Sequence, residues 1–107
     1  MAPKVPGIGV AELRERLAAA PNSFLLDVRE PWEFQAGHIP DARLIPLGEL
    51  EKRVDEVPRD RPIFVVCQSG QRSWAAAAYL LQLGYSEVAN VDGGTGAWTQ
   101  RGFPVSR

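Results

Sequence analysis

The chain has 107 residues, 12 basic and 13 acidic, a net charge of -1 and a hydrophobic fraction of 45%. That length suits one compact domain. The near-neutral balance gives no basic footprint for nucleic acid, and a single cysteine with a single histidine excludes an internal disulfide and a metal-ligand cluster.

Residues 1–7, with Pro3, Pro6 and Gly7, read as a loose tail without the apolar core of a signal peptide. Residues 8–107 are expected to form the domain. Val10 to Ala19 places Val10, Leu13 and Leu17 on one helical face, and Pro21-Asn22-Ser23 breaks the helix. Phe24 to Val28 is a continuous apolar strand, the pattern of a parallel strand covered on both faces. Pro31 to Ala36 suits a short helix with proline in its first turn, ended by Gly37. Ala42 to Ile45 is a short strand, and Leu47 to Val54 a helix closed by Pro58. Ile63 to Val66 is a core strand, and Ser73 to Leu83 a helix capped by Gly84 and apolar nearly all round. Glu87 to Val91 is the last strand, and Gly94 to Gln100 the last helix.

Strands and helices alternate at short intervals, which predicts an α/β fold: a three-layer sandwich with a small, mainly parallel sheet flanked by helices. The longest apolar run, Trp74 to Leu81, falls far short of the roughly 20 residues that span a bilayer. A cytoplasmic protein with no membrane or nucleic-acid partner is expected.

The segment with chemical content is Cys67-Gln68-Ser69-Gly70-Gln71-Arg72-Ser73. It joins a core strand to a helix, at the carboxyl end of a strand where open α/β sheets bind ligands. None of these residues is proline, so Gln68, Ser69, Gly70, Gln71, Arg72 and Ser73 all offer backbone N–H groups. If the loop curls around the sulfur, these donors form a concave anion-binding nest, with Gly70 allowing the tight turn. Arg72 adds positive charge or braces the loop, and Ser73 caps the helix or gives its hydroxyl to the loop. Such a nest holds Cys67 as a thiolate and then holds the anion that the thiolate carries or attacks. A cysteine persulfide and a phosphocysteine both fit, and neither needs a histidine base. A lone cysteine at the end of a core strand is otherwise a small buried hydrophobe; glycine, two serines and an arginine directly after it do nothing for a core.

From about Ile8 to Pro104 the chain resembles a rhodanese domain, the sulfurtransferase family. Besides the cysteine loop, three segments carry the resemblance: Leu25-Leu26-Asp27-Val28-Arg29-Glu30-Pro31-Trp32-Glu33-Phe34, Gly37-His38-Ile39-Pro40-Asp41-Ala42-Arg43-Leu44-Ile45-Pro46-Leu47, and Asn90-Val91-Asp92-Gly93-Gly94-Thr95-Gly96-Ala97-Trp98. The resemblance implies that Cys67 takes a sulfane sulfur from a small-molecule donor such as thiosulfate and passes it to cyanide or a thiol. No cofactor is implied. It also implies that Asp27 and Arg29 are supporting charges that tie loops around the site. Phosphatases and arsenate reductases of this fold have C-x5-R; the C-x4-R spacing here favours sulfur.

Three other functions compete: a persulfide relay fed by a partner desulfurase, a small phosphatase or arsenate reductase, and a non-catalytic binding module. Turnover with thiosulfate and cyanide separates the relay from the enzyme, and the short loop and the cysteine speak against the other two. His38, inside Gly37-His38-Ile39-Pro40, is expected to hold a rigid turn, and Glu33 to pair with a nearby arginine or face solvent. Trp32, Trp74 and Trp98 are expected to pack, with Trp74 and Trp98 as candidate pocket walls.

Overall fold

The computed structural model describes residues 4–107. Five strands form one sheet in the order β1-β5-β4-β2-β3, and every neighbouring pair runs parallel. The strands are β1 (Gly7–Ile8), β2 (Phe24–Asp27), β3 (Arg43–Leu44), β4 (Ile63–Val66) and β5 (Val88–Val91). The helices are α1 (Val10–Ala19), α2 (Pro31–Ala36), α3 (Leu50–Arg53), α4 (Gln71–Gln82) and α5 (Gly94–Gln100).

Alternation along the central strands sorts the core into two layers. Leu26, Ile63, Val65 and Val88 pack with Leu50 of α3 and with Ala76, Ala77 and Leu80 of α4. Leu25, Phe64, Val66 and Val91 pack on the opposite face with Val10 and Leu13 of α1 and Trp98 of α5. Both faces are covered, so the central strands do not alternate with polar residues and are apolar except for the buried Asp27 at the end of β2 and Asn90 in β5. The three-layer α/β architecture expected from the pattern is the one observed.

Four local differences have physical causes. The Pro6 carbonyl accepts the Asn90 N–H at 2.8 Å, and Gly7–Ile8 pair with β5. The sheet therefore begins within the stretch read as a tail, of which residues 1–3 lie outside the described residues. A two-residue edge strand is too short to show periodicity. Leu47 to Val54 is not one helix: the four residues of α3 sit between 3₁₀ turns at Leu47–Glu49 and Val54–Glu56. Gly48 weakens the first turn. The Tyr85 hydroxyl, donating to the Val57 carbonyl at 2.6 Å, holds the far end.

The third difference is that α4 starts at Gln71, two residues earlier than expected, because Gly70 supplies a left-handed turn (φ +108°) at its N-cap. Its other end meets expectation in a Schellman pair: Gly84 N–H donates to Leu81 O and Tyr85 N–H to Leu80 O. The fourth is Trp32, which is not a packing residue and is 72% exposed. Phe34, two positions on, points its ring to the core, and positions two apart on a helix face nearly opposite ways.

The order of the strands decides where a ligand can sit. From β2 the chain crosses to β3, and from β4 it crosses to β5 on the other side. A crevice therefore opens between the carboxyl ends of β2 and β4, which are paired as far as Asp27 and Val66.

Candidate active site

Cys67 follows β4 directly, on the lip of that crevice, and is 1% exposed. Its Sγ accepts the Gly70 N–H at 3.1 Å and lies 3.3 Å from the Ser73 hydroxyl. Because α4 begins at Gln71, Ser73 lies in the first helical turn, where its side chain turns back to the sulfur instead of capping the helix. Burial pushes the Cys67 thiol up. The Ser73 hydroxyl and the backbone N–H groups of Ser73, Gly70 and Ser69 outweigh it and hold the pKa below the ordinary thiol value.

The start of α5 keeps the loop in this shape. Thr95 N–H donates to the Cys67 carbonyl at 2.8 Å and Gly96 N–H to the Gln68 carbonyl at 3.0 Å. With those oxygens drawn toward α5, the N–H groups of Ser69, Gly70 and Ser73 are left to face the sulfur, while no such contact joins it to the N–H groups of Gln68, Gln71 and Arg72. The approach requires glycine: a Cβ on Gly94 (φ +60°) would overlap the Cys67 carbonyl oxygen and lie 2.7 Å from the Gln68 carbonyl carbon.

Two arginines brace the rim, each held by a carboxylate. Arg29, buried at the end of β2, donates to both oxygens of Asp27 (2.9–3.1 Å), to the Gly37 carbonyl at 2.9 Å and to the Gln68 side chain at 3.2 Å. It thus ties β2, the end of α2 and the cysteine loop together. Arg72 forms a two-pronged pair with Glu33 at 2.7 and 2.9 Å, so its guanidinium fastens α4 to α2 and is not turned to the sulfur. Glu33 also accepts the Glu30 N–H at 3.0 Å in a capping box, and Pro31 follows the N-cap.

The Arg72 hydrogen bonds hold the Glu33 carboxyl down to about 2. A carboxylate depressed in the folded state stabilises above its ordinary value and loses that contribution as pH falls toward the depressed one. Glu33→Gln should therefore lower the melting temperature at neutral pH. The pair is partly exposed and screened, so the cost is about 1 kcal/mol or less. The gap to the parent protein should close as pH falls from 4.5 to about 2, as read by melts in a pH series.

A cleft of about 510 Å³ adjoins the loop, lined by Ser69, Gly70, Gln71, Trp74, Asn90 and Asp92 among others. Trp74, 44% exposed, forms its aromatic wall. A second depression of about 440 Å³ lies on the other side, next to Arg29, Trp32, Glu33 and Gln68. Gln68 and Gln71 thus lie on opposite sides of the loop. Trp98 is no pocket wall: it is buried against Phe103, and its indole N–H donates to the Pro104 carbonyl at 2.7 Å.

His38 stacks on Phe34 at 3.7 Å, and its Nδ1 sits 2.9 Å from the Phe34 carbonyl. Its backbone exchanges two hydrogen bonds with Ser106. Its ring packs on α2, and none of these contacts reaches the sulfur.

Sequence reading passed over Asn90. It is 4% exposed, and its side chain contacts Ser73, Gly70 and Asp92. The available signal was a polar amide inside the strand Val88-Ala89-Asn90-Val91, since a buried amide must find partners.

The model of the rhodanese-like domain matches residues 9–101. A sulfurtransferase of Allochromatium vinosum is 43% identical over 93 residues, covering 87% of this chain and 87% of its own. The thiosulfate sulfurtransferase GlpE of Pseudomonas syringae is 38% identical over 95 residues, covering 89% of this chain and 85% of its own. The crystal structure of a rhodanese-related protein from Thermoplasma volcanium superposes with a TM-score of 0.87 at 38% identity, covering 94% of this chain and 97% of that one. With the parallel sheet, the cysteine directly after its central strand and matches over nearly the whole length, the chain belongs to the rhodanese-like sulfurtransferase family.

Proposed function

We propose that this protein moves a sulfane sulfur from a donor such as thiosulfate to a thiophilic acceptor, cyanide or a thiol, through a persulfide on Cys67. The observation that carries the reading is the Cys67 sulfur, buried under the loop's N–H donors and the Ser73 hydroxyl, with its pKa lowered. The similarity to a thiosulfate sulfurtransferase supports thiosulfate as the donor to try first.

In the first half-cycle the Cys67 thiolate attacks the outer sulfur of thiosulfate. The S–S bond of the donor breaks, and sulfite leaves with the bonding pair. The terminal sulfur of the resulting persulfide carries the negative charge, and the loop's N–H groups stabilise it as an oxyanion hole stabilises oxygen. In the second half-cycle the acceptor attacks that terminal sulfur, and Cys67 leaves as a thiolate. Two displacements balance with no external oxidant or reductant and no general base. Neither half-cycle draws on His38, which is stacked on Phe34. We place the protein in the cytoplasm, where reducing conditions keep a lone thiol free; no helix among the described residues is long and apolar enough to cross a membrane.

Intact-mass measurement tests the reading. Incubation with thiosulfate should add the mass of one sulfur atom, and cyanide should remove it. Cys67→Ser should show no gain. A folded, reduced protein that gains nothing from thiosulfate or from polysulfide overturns the reading. Gain from a desulfurase partner alone would make it a relay, and Cys67-dependent hydrolysis of an aryl phosphate would make it a phosphatase.

A further inference from the structure

The Ser73 hydroxyl has two acceptors and one proton. Its Oγ sits 3.3 Å from Cys67 Sγ, and closer still to Asn90 Oδ1. The orientation of the Asn90 amide is fixed from its other end: Nδ2 donates to the Gly70 carbonyl at 3.2 Å and to Asp92 Oδ1 at 3.1 Å. The oxygen of the amide therefore faces Ser73 and can only accept. All three residues are buried. In the thiol state Ser73 donates to Asn90. In the thiolate state a hydroxyl still turned to Asn90 would present its lone pairs to a negative sulfur, whereas a hydroxyl turned to the sulfur leaves the amide oxygen without its donor.

We propose that Asn90 is a positioning residue for the sulfur chemistry: it competes with Cys67 for the single Ser73 proton, so the hydroxyl turns to the sulfur when Sγ is charged and back to Asn90 when Sγ is neutral. The O–H bond never breaks; only the hydroxyl rotates. In a persulfide the inner sulfur is neutral and the charge sits on the outer one, so the hydroxyl returns to Asn90. Asn90 thereby favours the loaded state over the free thiolate, and the hydroxyl turns back to Sγ as Cys67 becomes the leaving group. This role rests on the persulfide reading, but its test reads the free thiol. A missing mass gain would refute the persulfide and leave the hydroxyl result standing.

The charged groups around the trio are Asp27 and Arg29 at the end of β2, Glu33 of α2 with Arg72 of α4, and Asp92 just after β5. The Glu33 carboxyl, held down to about 2, stays ionised throughout the range in which a thiol titrates.

The experiment follows Cys67 alkylation against pH in the parent protein, Ser73→Ala, Asn90→Leu and the double variant. Ser73→Ala removes a donor to the thiolate and should slow alkylation below the midpoint by roughly tenfold, the scale of one charge-assisted hydrogen bond. Asn90→Leu removes the competitor and should do the opposite, moving the midpoint down and speeding alkylation at low pH. The Gly70 carbonyl borders the open cleft, so water can replace the lost amide N–H there. In the Ser73→Ala background, Asn90→Leu should change nothing, because its effect runs through the hydroxyl.

A merely structural Asn90 would loosen the loop and raise the midpoint in both backgrounds; that result overturns the proposal. A measurement on the unaltered Asn90 guards against a variant that does not fold. The Asn90 side-chain amide resonances should step at the Cys67 midpoint in the parent protein and lose that step in Ser73→Ala. A step that survives in Ser73→Ala, or no step in the parent, likewise overturns it.

Discussion

Gly94→Ala should cripple the protein at two levels, folding and sulfur transfer. Gly94 opens α5 with a φ of +60°, and an added Cβ would meet the backbone of Cys67 and Gln68, which cannot swing aside as a flexible side chain would. The left-handed strain and the overlap together should cost about 2–5 kcal/mol. The damage falls on the Thr95 and Gly96 hydrogen bonds that hold the loop's carbonyls away from the sulfur. Protein that still folds should lose sulfur transfer on the order of 100-fold, the scale of an ångström's misplacement of reacting groups. Thermal melts and thiosulfate:cyanide turnover on the same sample check both. Near-parental values for both would show that α5 does not hold the loop in shape. Gly102→Ala makes a control, because its Cβ, at a φ of +73°, would meet nothing within 4 Å.

Breaking the Asp27–Arg29 pair should be the most destabilising single charge change. The two side chains are 0% and 3% exposed, so Asp27→Ala leaves a buried guanidinium without its counter-charge. Losing one partner of such a pair costs about 3–5 kcal/mol. That is a large share of the roughly 5–15 kcal/mol that holds a domain folded. Denaturant titration should show the midpoint falling. Replacing both residues by apolar ones, Asp27→Leu with Arg29→Met, should recover part of the stability but not the activity. Arg29 also donates to Gly37 and Gln68, and those bonds position the loop. Full recovery of turnover in the double variant would reduce the pair to a packing element.

The outcome at individual residues shows how much of this was written locally. Ile63 to Val66 could be bounded to the residue, because four apolar residues between Pro62 and Cys67 leave no other register. Val10–Ala19, Pro31–Ala36 and Gly94–Gln100 were equally legible, since proline and glycine punctuate them. Cys67 stands out by its place between a core strand and a helix; of the six loop N–H groups expected around it, those of Ser69, Gly70 and Ser73 lie against the sulfur, with the Ser73 hydroxyl. Arg72 was ambiguous, because its direction depends on Glu33, 39 positions earlier in the chain. The register of β1 was invisible for a related reason: two residues carry no period, and only β5 gives them one.

The fold class and the place of Cys67 in the turn between β4 and α4 were legible in the sequence, because each is set by residues within one strand, loop and helix. The tertiary structure decided what surrounds the sulfur. It turned Arg72 onto Glu33, set α5 against the back of the loop, and brought Asn90 up to Ser73. These contacts join residues far apart in sequence. Their geometry follows from a strand order that sets the ends of β2, β4 and β5 side by side. Local propensity cannot encode such an arrangement, because hydrogen-bond partners are chosen only after the sheet has assembled.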